Sequence, residues 1–451
     1  MIMRFLARLV GVGALALGIL GLGATSAGAV PAFAVQTGEP CQACHVGGFG
    51  PQLTAFGREF KLQGYTLRTA KFNVPLSMML MASYVHTQKG QNPPPPGYAP
   101  NDNTTLDQLS MFFAGGFGSH LGAFVQGTYD GVAKQWHWDN LDVRVVEPTQ
   151  IGKTDVTFGV DVNNAPTVQD AWNTLPAWGY PYTTSALAPT PATSPLLNGA
   201  LAQTSLGVTG YAWIDSKLYL EAGAYFSPNA NSLSSLGVDP TSPGSIQGAA
   251  PYVRAAYQQD VGKGTLEVGV FGMGVNVFPG LNRTTGLTDR YTDAGFDGSY
   301  ILAMDNTDVF TLNGRYVHEN QDLAATCTLM AVPTAGACAS NSLDDYRLDA
   351  SYYWRDKVGF TVQLFDTTGS ANQLIYAGNR TFSPNSDGVT FQVDATPWGS
   401  GNGPLGKRFN TRVGVQYTLY GSFNGAESNW DGLGSNASDN NTLRVFIWSA
   451  Y

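Results

Sequence analysis

Past its first two dozen residues the chain has no apolar run of the ~20 residues that a membrane-spanning helix needs, which argues against a helical membrane protein. Charge is scarce at 13% of residues, and acidic side chains outnumber basic ones, 33 Asp and Glu against 24 Lys and Arg. The net charge is −9, and no basic cluster offers itself to nucleic acid. Cysteine and histidine are rare, four and five residues, so where they sit together carries weight. What is plentiful is glycine, 54 residues, and aromatic side chains, 12% of the chain. That balance suits an all-β protein.

The N-terminus reads as a secretory signal peptide: Arg4 and Arg8 precede an apolar run from Leu9 to Leu22, and small-residue cleavage sites end at Ala29 and Ala34. Residues 1–29 are assigned to it. From Phe72 onward apolar residues alternate with polar or small ones, the period of a sheet with two different faces. Val358, Phe360, Val362 and Leu364 oppose Gly359, Thr361, Gln363 and Phe365; Val413, Val415, Tyr417 and Leu419 oppose Arg412, Gly414, Gln416 and Thr418. Short polar turns, such as Gly262-Lys263-Gly264 and Arg355-Asp356-Lys357, alternate with long Gly/Pro/Asn/Ser-rich links such as Ala165 to Gly199. Turns on one side and loops on the other describe an antiparallel transmembrane β-barrel in an outer membrane, with about sixteen strands. Residues 71–451 are assigned to it, the last strand, Thr442 to Tyr451, ending on an aromatic side chain as a barrel-assembly signal would.

Between signal and barrel lies the most specific motif, Cys41-Gln42-Ala43-Cys44-His45. Two thiols at this spacing can each form a thioether to a haem vinyl group, with the adjacent His45 as proximal iron ligand. One covalent haem c is therefore expected in a short helical plug, residues 30–70. Pro51 to Gln63 reads as a helix with Pro51 at its first position and Gly64 as its stop. Leu53, Phe56 and Phe60 would pack on the porphyrin, and Arg58 or Lys61 would pair with a propionate. Segments below about 40 residues rarely enclose a core of their own, so this one must borrow the barrel wall. The remaining pair, Cys327 and Cys338, is expected to form a loop disulfide in the oxidising exported setting.

Pro31-Ala32-Phe33-Ala34, Gln36-Thr37-Gly38, the haem motif and the run from Pro51 to Tyr65 resemble the fused outer-membrane cytochrome-porins of iron-oxidising bacteria. The resemblance is specific over residues 31 to about 70 and architectural thereafter. It departs at Val35, where the family often has a basic residue. The resemblance implies electron uptake from extracellular ferrous iron and delivery to a periplasmic carrier, a cytochrome c or a copper protein. On that reading the chain is an electron-transfer protein, classed if at all as a ferrous iron:cytochrome c oxidoreductase. No separate catalytic residue is expected.

A distal iron ligand is sought on the first strand, Phe72 to His86. There Met79 and Met81 share a face with Ser77 and Ser83, the lumen face by its serines, whereas Met78 and Leu80 face lipid. A thioether ligand would raise the haem potential. Met273 and His120 come next. Two other functions stay open: a diffusion porin whose haem plug is a gate or redox sensor, and a haem enzyme of peroxidase type, which needs acid–base groups at an open distal position.

Overall fold

The structure is a computed structural model and describes residues 31–69, 74–304, 307–330 and 340–451. The expected signal peptide, 1–29, and Cys338 lie outside the described residues. The strands in chain order are β1 (Leu76–Thr87), β2 (Asn103–Phe117), β3 (Leu121–Asp130), β4 (Gln135–Ile151), β5 (Thr154–Asn163) and β6 (Leu206–Ile214). There follow β7 (Leu218–Phe226), β8 (Gly244–Ile246), β9 (Ala250–Val261), β10 (Gly264–Pro279), β11 (Asp289–Ala303) and β12 (Val309–Asp322). The last five are β13 (Asn341–Trp354), β14 (Val358–Gly369), β15 (Ser386–Ala395), β16 (Asn410–Ser422) and β17 (Thr442–Ala450).

Apart from the short β8, each strand pairs antiparallel with the next along the chain, β7 pairing with β9, and β1 pairs with both β2 and β17, which closes the sheet into a barrel. The short β8 and the longer β9 both pair with β10 and form two pieces of one stave. The wall therefore has sixteen staves, as the alternation predicts. Closure leaves no free edge, so every strand finds hydrogen-bond partners where lipid offers none.

The two faces differ as the period of two requires. On β14, Phe360, Val362 and Leu364 are exposed outward while Thr361 and Gln363 are buried inside. On β1, Met78 is 40% exposed and Met81 only 4%. An apolar outer belt around a polar interior identifies a porin-like barrel of the outer membrane. Short turns and the start of β1 gather at one end, the periplasmic one by this rule.

Two links depart from the expected pattern. The link between β15 and β16, at the short-turn end, runs from 396 to 409 because it holds the haem-motif segment: Gln42 N donates to the Gly399 carbonyl at 3.1 Å. The longest link, 164 to 205 between β5 and β6, does not stand outside; it folds into the lumen. Val168, Trp172, Leu175 and Leu187 are buried there. Its contacts reach around the wall: Asp170 pairs with Arg254 at 3.3 Å, Leu197 N donates to Asp293 at 2.8 Å, and Arg444 donates to the Thr183 carbonyl at 2.9 Å. Tyr420 closes the circuit on the Pro189 carbonyl at 2.8 Å.

Candidate haem-binding site

The N-terminal segment enters the barrel from the short-turn end as three brief helices, Pro31–Thr37, Cys41–Cys44 and Ala55–Leu62. The helix expected from Pro51 begins later. Pro51 sits in a bend, Leu53 is drawn into a β-bridge with His45, and Thr54 caps the helix by accepting the Gly57 N–H at 3.2 Å. The stop at Gly64 is where the sequence places it, with φ +65°, and Tyr65 N reaches back to the Phe60 carbonyl at 2.9 Å.

The helix lies in a polar lumen and buries its cations along with Phe60 and Leu62. Arg58 and Lys61 point into the wall, whereas Phe56 is 37% exposed. Arg58 donates to Gln258 at 3.3 Å and Ser299 at 3.2 Å, away from the cavity. Lys61 reaches the Val168 and Asp170 carbonyls at 2.7 and 2.8 Å and lies 3.6 Å from Asp142. Phe60 does turn inward, edge-on to Phe33 at 5.0 Å, and Phe33 stacks on Tyr65 at 5.1 Å.

The Cys41–Cys44 turn is fixed from several sides. Thr54 N donates to the Cys44 carbonyl at 2.9 Å, and Thr54 Oγ1 to that of Ala43 at 2.5 Å. The loop beyond His45 is clamped by the wall, with Gly47 N on Asp356 at 2.6 Å and Asn410 on the Gly48 carbonyl at 2.8 Å.

Cys44, His45, Phe49, Leu53 and Phe60 open on a cavity of about 370 Å³ inside the barrel, within the ~300–1,000 Å³ typical of ligand sites. Across it stand Met79 and Met81 of β1, Phe112 and Phe124, Trp448 of β17, and Trp178 and Tyr182 from the inward link. Cys41 and Cys44 are free thiols, not joined to each other.

These residues fit a covalently held haem. The thiols are unspent, and nine aromatic side chains line the cavity. His45 lines the cavity, and its Nδ1 is buried with no hydrogen-bond partner among the described residues. The Gly50 backbone approaches the ring, where an iron-bound histidine's remaining N–H would find its acceptor. Burial first, and the Arg412 guanidinium second, hold His45 down to about 4, so the ring is neutral, the form that binds a metal.

Of the residues singled out from sequence, the fold brings Cys44, His45, Phe60, Met79 and Met81 to one cavity, with Lys61 at its edge. Cys41, half-buried, is the other thiol of the same turn. Phe56 and Arg58 are not on the cavity. Met273 packs with Leu175 and Tyr225 in another part of the lumen, and His120 sits at the Val146 carbonyl and Glu147 on a turn. Trp178, Tyr182 and Trp448 were not singled out from sequence. The signal was there in part, since tryptophan and tyrosine inside a long polar link are costly to leave in water. Cys327 is disulfide-bonded.

Fold and site together define a porin-like outer-membrane β-barrel whose N-terminal segment is folded inside it. No family model and no curated protein matches the chain. Among solved structures it is similar to OmpF of Salmonella typhi in complex with daunomycin, at 14% identity and a TM-score of 0.47, over 84% of this chain and 98% of that one. It is likewise similar to an anion-selective porin from Comamonas acidovorans, at 13% identity and a TM-score of 0.45, over 83% and 98%. A third is OmpT of Vibrio cholerae, at 10% identity and a TM-score of 0.42, over 86% and 99%.

Proposed function

We propose that the protein carries electrons through the outer membrane by way of one haem c attached to Cys41 and Cys44, from extracellular ferrous iron to a periplasmic carrier. The observation that carries this reading is the convergence of Cys44, His45, Met79 and Met81 on one apolar cavity inside the barrel. A haem held there supplies a one-electron carrier whose potential its axial ligands and surroundings set. The ferrous donor comes from the resemblance of residues 31–70 to the cytochrome-porins.

The chain's own residues have distinct parts. Cys41 and Cys44 would hold the group, His45 would bind its iron, and the aromatic walls would keep water away, which favours a defined potential. Between the two methionines the sulfur contacts favour Met79. Met81 Sδ accepts from Thr183 Oγ1 at 2.6 Å and lies 3.5 Å from an Arg444 nitrogen, so its lone pairs are engaged. Met79, half-buried on the same face, has no such contact and is the better distal ligand.

The haem-enzyme reading fares worse. His45 is the one histidine on this cavity among the described residues, and the carboxyl on it, Asp139, is held by Thr128 at 2.7 Å and Gln203 at 3.0 Å. The open-pore reading meets a lumen filled from below by the plug and crossed by the inward link.

The test is to add ferrous iron to the purified protein and follow the visible spectrum, alongside haem-stained denaturing gels of Cys41→Ser and Cys44→Ser. Reduction of the wild type and loss of normal staining in both variants are expected. Full staining in both would remove the haem assignment, and a haem that ferrous iron leaves oxidised would remove the donor.

A further inference from the structure

A haem brings two carboxylates, and a carboxylate taken out of water needs donors or a cation beside it. The cations expected to serve, Arg58 and Lys61, are committed to the protein, as shown above. The other polar groups on the cavity are mostly committed too. Trp178 Nε1 donates to the Val168 carbonyl at 2.6 Å and Tyr65 to Asp142 at 2.8 Å. Gln108 and Gln126 both donate to Ser110, at 2.8 and 3.0 Å.

Besides His45 Nδ1, two buried donors of cavity residues are left without a partner among the described residues: the Tyr182 hydroxyl and Trp448 Nε1. Trp448 is only 6% exposed, so water does not compensate its N–H from outside. Both residues belong to one cluster with Phe49 and Met79. Two arginines of the wall lie beside them, each paired with a carboxylate, Arg412 with Asp394 at 3.3 Å and Arg444 with Asp107 at 3.2 Å. Arg412 stands directly opposite Trp448 on β16, and Arg444 lies four residues before it on the same lumen face of β17. Arg444 Nε is itself buried and unpartnered.

We propose that Tyr182 and Trp448 form the carboxylate-anchoring end of the cavity, donating to a haem propionate beside the Arg412–Asp394 and Arg444–Asp107 pairs. The inference rests on the haem reading above and adds to it where the group's acidic edge lies. It also gives the inward link a task. Tyr182 is a residue of that link, so seating the carboxylate fastens the link to the wall at β17.

The test uses the full-length protein with Tyr182→Phe, Trp448→Phe and the double variant. Haem staining is measured first, because an unstained wild type would overturn both this proposal and the reading beneath it. With staining intact, resonance Raman bands of propionate bending should shift in each single variant and further in the double. The reduction potential, flat with pH in the wild type across the neutral range, should acquire a pH dependence as the unanchored carboxylate takes up a proton. A purely structural role for these residues would move neither readout. Should Trp448→Phe disturb packing against Phe49, Tyr182→Phe remains decisive, since it removes a hydroxyl and nothing else. Propionate bands and a pH profile unchanged in Tyr182→Phe would overturn the proposal.

Discussion

Gly57 is where the plug helix rests on the haem-motif turn, and replacing it with alanine sets two effects against each other. In a helix interior alanine is favoured over glycine by about 1 kcal/mol. Against this, a Cβ at position 57 would stand 2.3 Å from the Cys44 carbonyl oxygen and 3.0 Å from its carbon, both backbone atoms that cannot swing aside. The helix would have to back away by at least about 0.7 Å merely to restore 3.0 Å to that oxygen. Overpacking of this kind costs about 1–3 kcal/mol, and because the clashing atoms are backbone the upper part of that range applies, so the clash should win and leave a net loss of up to about 2 kcal/mol. Gly274→Ala is the control, since nothing lies within 4 Å of a Cβ there. In denaturant titrations followed at the haem band, Gly57→Ala should unfold earlier than the wild type and Gly274→Ala should stay close to it. A Gly57→Ala protein as stable as the wild type, or more stable, would refute the seating of helix on turn.

Met79→Ala should abolish the sulfur-to-iron absorption band and lower the reduction potential, whereas Met81→Ala should leave the band in place and Met78→Ala, on the lipid face, should change neither. Cys327 should resist thiol reagents on intact cells until a reductant is added; labelling without reduction would contradict its bonded state. Shortening the link between β5 and β6 should raise ion conductance in planar bilayers from a low wild-type level. A wild type already conducting like an open pore would count against an occluded lumen.

Much of the barrel was legible because a wall with lipid outside and water or protein inside forces a period of two on every stave. The lumen side of β1 follows from Ser77 and Ser83 alone, and with it the placement of Met79 and Met81. The Cys41 to His45 motif stands out in the sequence because the spacing expected for haem attachment is set by covalent chemistry rather than by packing. The plug helix misled in part for a physical reason: amphipathicity read from sequence assumes an apolar interior, and this helix, although Phe60 and Leu62 are buried, sits in a polar one. Its cations face inward to Gln258, Ser299 and Asp142, while Phe56 is left outside. The inward link was hidden for a related reason. Its Pro, Thr and Asn content is that of a surface loop, and only the scattered Trp172, Leu175, Trp178 and Leu187 marked it as buried. Tyr182 and Trp448 meet through chain segments more than two hundred residues apart, which no local pattern records.

The central claim is that electrons cross the membrane through this one chain by means of the group held at Cys41 and Cys44. It is tested most directly in sealed proteoliposomes, with ferrous iron outside and an oxidised cytochrome c trapped within. The wild-type protein should reduce the trapped cytochrome, and a Cys41→Ser/Cys44→Ser protein that inserts equally well should not. Equal reduction by both proteins, or none by a fully haem-loaded wild type, would contradict the account.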